Sequence, residues 1–378
     1  MKNKIKILHL TKGMELYGAQ RVILNLVENS SSERFDASIA TFVSNRHGHG
    51  TFIEEIEKRC GNAITIKCKK RIDIHALQEL IAILKKQRID ILHCHEMKSR
   101  LYGLIAARAL NIPVVTTHHN WTGANRLVKV YEYLDAFYIR FFDQIVAVSE
   151  ELKHSMLKLK VPAKRISVII NGINLKELHI DRKDISYLKK KIGIKNGTKI
   201  IGNVGRLSVE KGHKLFLTAA KLIQKEFPAI QFLIAGDGPL KSELKFCADN
   251  LGLKESVFFT GFCSNIQQLY LLMDIFLLTS SVEGTPMAMM EAMAMGVPVV
   301  ATNVGGVSKI LHQNQSGILS KNNEPEEVAE SVISLLKNPN ELARLATNAK
   351  KTIEEKHSAA QMAKQYENMY MNIINKYF

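Results

Sequence analysis

Short apolar runs alternate with longer stretches of helical spacing along most of the chain. In the first half Ile5–Leu10, Ala37–Val43, Ile89–His93, Val114–Thr117, Gln144–Val148 and Ile166–Ile170 read as strands. In the second half Ile200–Val204, Gln231–Ala235, Val257–Thr260, Ile275–Leu278 and Val297–Ala301 do the same. Most are apolar throughout rather than alternating, which suits strands buried on both faces. The segments between them, mostly about 12 residues or longer, leave room for a covering helix. The expected fold is therefore α/β, with parallel sheets covered on both sides. The pattern breaks once. After Asn171-Gly172-Ile173-Asn174 the stretch Leu175–Lys199 is polar and lysine-rich and reads as a linker. Residues 1–178 and 179–359 then form two Rossmann-like doubly wound domains. They are expected to face each other across a cleft through the carboxyl ends of their strands, where open α/β sheets bind ligands. The tail reads as a helix, with Met362, Tyr366, Met369, Tyr370, Ile373 and Ile374 on one face. Residues 360–378 either pack on their own domain or cross back to the first.

The chain has 378 residues, 46% of them hydrophobic, and a formal net charge of +16. No apolar run is long enough to span a bilayer. The lead Met1–Leu10 is too short in apolar length for a signal peptide, and the five cysteines (Cys60, Cys68, Cys94, Cys247, Cys263) show no CxxC spacing. A cytoplasmic location is the expectation. Residues 1–178 hold 28 lysines and arginines against 17 acids, a net of +11, whereas the remainder holds 24 against 19, a net of +5. An excess on one half points to an anionic partner there. Nucleic acid is not expected, because no nucleic-acid-binding signature is evident.

The most informative segment is Glu283-Gly284-Thr285-Pro286-Met287-Ala288-Met289-Met290-Glu291. Thr285 as N-cap and Pro286 at the first helical position start a helix over Met287–Met295, which Gly296 ends. Free N–H groups at such a start attract an anion, and Glu283 lies beside them in the loop. The alternative is a capped helix with two solvated glutamates. Gly205-Arg206-Leu207-Ser208-Val209-Glu210-Lys211-Gly212 follows a strand and places two cations in a loop, suited to a diphosphate leaving group or simply solvated. Tyr17-Gly18-Ala19-Gln20 joins the first strand to a helix. Its backbone N–H groups are able to meet phosphate or sugar, and an ordinary turn is the alternative. His118 and His119 end another strand, and adjacent residues there point opposite ways. His93-Cys94-His95 lacks a matching ligand cluster, and no metal is expected there.

Together with Asn171-Gly172-Ile173 and Gly236-Asp237-Gly238-Pro239, these motifs resemble the retaining glycosyltransferases of family four, of the bacterial kind that builds cell-surface polysaccharide. The resemblance covers nearly the whole chain and implies a GT-B fold with the last helix returning to the first domain. It implies that Arg206 and Lys211 bind the donor diphosphate, with Gly18 near it. Glu283 would contact the transferred sugar, and Gly284, Thr285, Pro286 and Met287 would cradle sugar and phosphate. Glu291 would hold the ribose hydroxyls, and His119 would be the cleft histidine, with His118 the fallback. Tyr17 departs from the pattern, standing where a first glycine is common.

The expected enzyme moves a sugar from a UDP- or GDP-linked donor to a cell-envelope glycan or lipid-linked acceptor. Retention at the anomeric carbon is implied by the resemblance. No covalent nucleophile stands out, so a front-face mechanism is expected. No Asp-x-Asp motif is present and two cations face the proposed diphosphate, so neither a metal nor another cofactor is expected. An epimerase or phosphorylase on the same fold, or a silent sugar-binding subunit, are the alternatives. Finally, the stretch 126–142 interleaves aromatic and basic residues, with Lys98, Arg100 and Lys67–Arg71 elsewhere in the same half. It either packs on its own sheet with Phe141 and Phe142 in the core or contributes to contact with an anionic membrane.

Overall fold

The computed structural model describes residues 4–16, 18–44, 50–70, 72–118, 134–178, 185–195, 197–263, 265–320 and 324–377. The chain divides into two compact units, Met1–Gly172 with Ala359–Phe378, and Ile173–Ser358. Leu175–Lys199 belongs to the second unit, where it carries a 3-10 turn at Leu175–Leu178 and a helix at Ile185–Ile192.

Among the described residues, the first unit has seven strands: β1 Ile5–Lys12, β2 Phe35–Val43, β3 Ile64–Lys67, β4 Ile91–Cys94, β5 Val114–His118, β6 Gln144–Ala147 and β7 Ile166–Val168. They lie in the order β3-β2-β1-β4-β5-β6-β7, every neighbouring pair parallel. The second unit has six: β8 Ile200–Val204, β9 Gln231–Ala235, β10 Val257–Gly261, β11 Ile275–Leu278, β12 Val299–Thr302 and β13 Ile318–Ser320. Their order is β10-β9-β8-β11-β12-β13, again all parallel. These are two doubly wound Rossmann-like sheets, whose strand order reverses between β1 and β4 and between β8 and β11.

Eleven of these strands lie on the apolar runs of the sequence. The other two, β3 and β13, each lie at one edge of their sheet. An edge strand needs no continuous apolar run, because one flank faces solvent or loops. Ile64–Lys67 is mostly half-buried, and Ile318–Ser320 has three residues.

Helix Ala359–Tyr377 completes the first unit rather than capping the second. Its buried polar atoms fix it in place. The Tyr370 hydroxyl lies 2.6 Å from His93 Nδ1, and the Tyr366 hydroxyl 2.9 Å from Thr117 Oγ1. Glu367, also buried, accepts from the Ser31 N–H at 2.6 Å and from Arg34 Nη2 at 2.9 Å. In the stretch of aromatic and basic residues, Phe142 is buried but Phe141 is half exposed, so only one of the pair enters the core.

Removing the Glu367 carboxylate leaves the Ser31 N–H without its acceptor, whereas the Arg34 end of the ion pair is more than half exposed. Glu367→Ala is therefore expected to cost about 1–3 kcal/mol of stability. Arg34→Ala is expected to cost under about 1 kcal/mol. Chemical denaturation of both variants checks this, and equal losses would locate the effect in the ion pair instead.

Candidate functional site

In the second unit the loop after β8 is pressed onto the end of β11. Gly205 N–H donates to the Ala235 carbonyl at 2.9 Å and Leu207 N–H to the Asp237 carbonyl at 3.0 Å, so the loop is held to the segment after β9. Arg206 is exposed. Val209–Lys211 forms a 3-10 turn ending at Gly212, whose φ of 64° is left-handed. A Cβ at Gly212 would lie 1.9 Å from the Thr279 carbonyl oxygen, so only glycine permits this approach.

That approach brings Lys211 to Glu283. The Lys211 Nζ donates to Glu283 Oε1 at 2.7 Å, and the Ser280 hydroxyl donates to the same oxygen at 2.7 Å. Glu283 and Ser280 are buried, and the Ser280 carbonyl is held by Thr302 Oγ1 at 2.7 Å. On the far side, the Glu283 carbonyl accepts from Gly306 N–H at 3.2 Å. A Cβ at Gly305, where φ is 50°, would lie 1.8 Å from that carbonyl oxygen. Among the described residues no donor reaches Glu283 Oε2. One carboxylate oxygen is thus fixed by a cation and a hydroxyl, and the other has no donor among the described residues.

The following helix covers Met287–Ala294, with Pro286 as its N-cap at ψ 81°. The sequence reading placed Thr285 at the cap and Pro286 inside the helix. Proline's ring fixes φ alone, and here ψ keeps Pro286 outside the helical region while its carbonyl accepts the first intrahelical bond, from Met290 N–H at 3.1 Å. The first-turn N–H groups have no intrahelical acceptor. Gly284 and Thr285 are half-buried between Glu283 and this turn. Glu291, one turn in, accepts from the Tyr270 hydroxyl at 2.7 Å. Arg206, Lys211, Glu283, Gly284, Thr285, Pro286, Met287 and Glu291 therefore all belong to the ends of β8 and β11 and the helix after them. Ser280 and Tyr270 join them through side-chain contacts that motif reading had no means to show.

In the first unit Gly18 opens helix Gly18–Asn29, and no atom lies within 4 Å of where its Cβ would stand. Among the described residues nothing demands glycine there. His119 lies outside the described residues. His118, the fallback, is buried, with Nε2 2.9 Å from Asp135 Oδ2. Asp135 also takes Arg100 Nε at 2.8 Å and Nη2 at 2.6 Å, and Arg100, buried in this pair, is withdrawn from any surface role.

His93 and His95 are joined by His9 from β1, the one group of potential metal ligands within 4.8 Å among the described residues. His9 Nδ1 lies 3.0 Å from His95 Nε2, while both His93 nitrogens are engaged, by Tyr370 and by Thr117 Oγ1 at 2.8 Å. No carboxylate belongs to the group, which offers imidazole nitrogens alone. His93 is hydrogen-bonded beneath the last helix, whereas His9 Nε2 is buried without a hydrogen-bond partner.

Comparison with known proteins identifies the family and the fold. The family descriptions "Glycosyltransferase Family 4" and "Glycosyl transferases group 1" match residues 17–177 and 184–352. The chain is 30% identical over 349 residues, 88% of each protein, to the Escherichia coli UDP-Gal:alpha-D-GlcNAc-diphosphoundecaprenol alpha-1,3-galactosyltransferase. It is 26% identical over 313 residues, 80% of each, to the N-acetyl-alpha-D-glucosaminyl L-malate synthase of Bacillus anthracis. The crystal structure of Anabaena HepE in complex with UDP and glucose superposes with a TM-score of 0.85 at 21% identity, covering 97% of this chain and 100% of that one. The chain belongs to glycosyltransferase family 4. It is a glycosyltransferase enzyme of the GT-B fold.

One neighbour of the site gives a pH signature. His213, directly after Gly212, is buried with neither ring nitrogen hydrogen-bonded. Burial, reinforced by Lys211 and opposed by Glu210, lowers its pKa from 6.5 to about 4. The unfolded chain thus accepts a proton that the folded one refuses. The stability gained from neutral His213 is complete above pH 6.5 and is lost as pH falls towards 4. His213→Leu is expected to flatten the fall in unfolding free energy over that window. An unchanged slope would assign it to His9 and His357, which burial lowers to about 3 and about 4.

Proposed function

We propose that the enzyme transfers a sugar, with retention, from a UDP-linked donor to a lipid-diphosphate-linked or glycan acceptor of the cell envelope. The observation that carries this reading is the buried Glu283, held through one oxygen by Lys211 and Ser280 at the point where strand order reverses. Support for the donor comes from HepE, solved with UDP and glucose, and from the Escherichia coli relative, named for UDP-Gal and a diphosphoundecaprenol acceptor.

In this reading the donor diphosphate lies against Arg206, Lys211 and the N–H groups at Gly284 to Met287, which stabilise charge as the bond from the anomeric carbon to the phosphate oxygen breaks. Lys211 then exchanges part of its contact with Glu283 for the diphosphate, and Ser280 keeps the carboxylate in place. Glu283 Oε2 faces the transferred sugar and Glu291 the ribose. The acceptor oxygen bonds to the anomeric carbon on the face the phosphate leaves, and its proton passes to the departing phosphate oxygen. Two cations and a helix start supply the charge that an ion would otherwise supply. Gly18, which nothing among the described residues requires to be glycine, and His119 are assigned to substrate contact.

Glu283→Gln is expected to lower turnover roughly a hundredfold or more, with a much smaller change in donor affinity, as for one lost electrostatic stabiliser. In the same assay, transfer is expected to persist in excess chelator. Near-normal turnover with weakened donor binding would remove Glu283 from the reaction, and activity restored only by magnesium or manganese would sink the metal-free account. Thermal protection by a panel of UDP- and GDP-sugars identifies the donor.

A membrane surface is a second proposed partner. No described helix is long and apolar enough to cross a membrane. In the first unit, however, Leu134, Phe137 and Phe141 are each at least half exposed, with Arg140 over the Phe137 ring and Arg108 donating to the Phe141 carbonyl. Exposed aromatics beside basic groups suit a headgroup layer, where anionic lipid adds about 1 kcal/mol per basic residue. Sedimentation with anionic vesicles at low salt is expected to carry the protein down, and high salt or Phe137→Ser to release it. Absence of binding at low salt would favour a water-soluble acceptor.

A further inference from the structure

Glu96 occupies in the first unit the place that Glu283 occupies in the second. Strand order reverses between β1 and β4, as it does between β8 and β11, and Glu96 follows β4 as Glu283 follows β11. Its carboxylate closes the gap between the two strands. Oε2 accepts from the Thr11 hydroxyl at 2.7 Å and the Lys12 N–H at 2.6 Å, and Oε1 accepts from the Gln20 side-chain amide at 3.0 Å. Gln20 is buried in the first turn of the helix that Gly18 opens, and its amide also lies 3.4 Å from the Lys12 carbonyl. Glu96 itself is held by Ser99, whose hydroxyl accepts from the Glu96 N–H at 2.8 Å. One carboxylate therefore ties the last residues of β1 to the helix beyond the turn, and three donors take most of its roughly four acceptor sites.

We propose that Glu96, acting with Gln20, is a positioning residue that fixes the substrate-facing turn between Lys12 and Gly18. The proposal rests on the assignment of Gly18 to substrate contact. The role is to position the turn through these hydrogen bonds, which is distinct from that of a general base taking a proton from an acceptor. Glutamine at position 96 retains an oxygen for Thr11 and Lys12 and offers its amide to a rotated Gln20, whereas alanine loses all three contacts.

Hydrogen exchange of the folded protein, together with kcat/KM for transfer from UDP-galactose, tests this. Exchange at residues 11–20 is expected to rise about tenfold in Glu96→Ala and in Gln20→Ala, as for a lost hydrogen bond or two. Exchange in β5 to β7 should stay unchanged. kcat/KM should fall about tenfold in each and about as much in the double variant, because both remove one clamp. Glu96→Gln should recover most of both losses. Unchanged exchange at residues 11–20 overturns the clamp, and so do additive losses in the double variant. Glu96→Gln as inactive as Glu96→Ala, with one limb of the pH–rate profile gone, overturns it in favour of a base. Should Glu96→Ala fail to fold, Gln20→Ala carries the test alone. Gly18→Ala separates the two failures. Normal kcat/KM there removes the substrate-facing assignment, whereas a loss there with normal exchange and kcat/KM in Gln20→Ala removes only the clamp.

Discussion

The reversal of strand order in each sheet is the constraint on which the rest depends. Crossovers from a parallel sheet are right-handed, so helices leaving β1 and β4, or β8 and β11, turn to opposite faces. No helix then covers the carboxyl ends of those two strands, and the loops there must be held by their own contacts. The second unit does this with Gly212 against Thr279 and Lys211 against Glu283. The first does it with Glu96 against Thr11, Lys12 and Gln20. In both cases a carboxylate from one strand end takes donors from the other.

These arrangements carry an energetic tension. A buried carboxylate loses hydration, and one lysine at the edge of solvent recovers only part of it. Glu283 tolerates the loss because Ser280 adds a hydroxyl to the same oxygen. The result is a polar group with one side satisfied and one side waiting, which a protein selected for stability alone would replace by something apolar.

Much of this was legible in the residues, for identifiable reasons. Strands buried on both faces write themselves as unbroken apolar runs, so the central strands could be read directly, as could β7 and β10, while β3 and β13 at the opposite edges could not. Glu283 and Glu291 were found because glycine, proline and the following helix frame them at fixed spacing. Ser280, Tyr270 and Glu96 were not, because each acts through a partner between 3 and 85 residues distant, and a serine, a tyrosine or a glutamate has no local signature of its own. Arg100 shows the converse. As a basic residue in a basic half it read as surface charge, yet Asp135, 35 positions later, draws it into the interior. The Thr285–Pro286 start missed by a residue because ψ, unlike φ, is not fixed by a ring.

The helix Ala359–Tyr377 has a consequence for how the chain is made. It brings Tyr366, Glu367 and Tyr370 to the β1–β5 side of a unit whose other residues end at Gly172. During synthesis that unit leaves the ribosome before its last helix, with His93 and Thr117 lacking Tyr370 and Tyr366. It must wait while Ile173–Ser358 is translated, on the order of ten seconds or more at usual rates. The interposed unit has its own sheet and core and needs nothing from either flank to begin folding. The order of birth along the chain is therefore not the order of completion: the middle is able to finish first, and the beginning is sealed by the end.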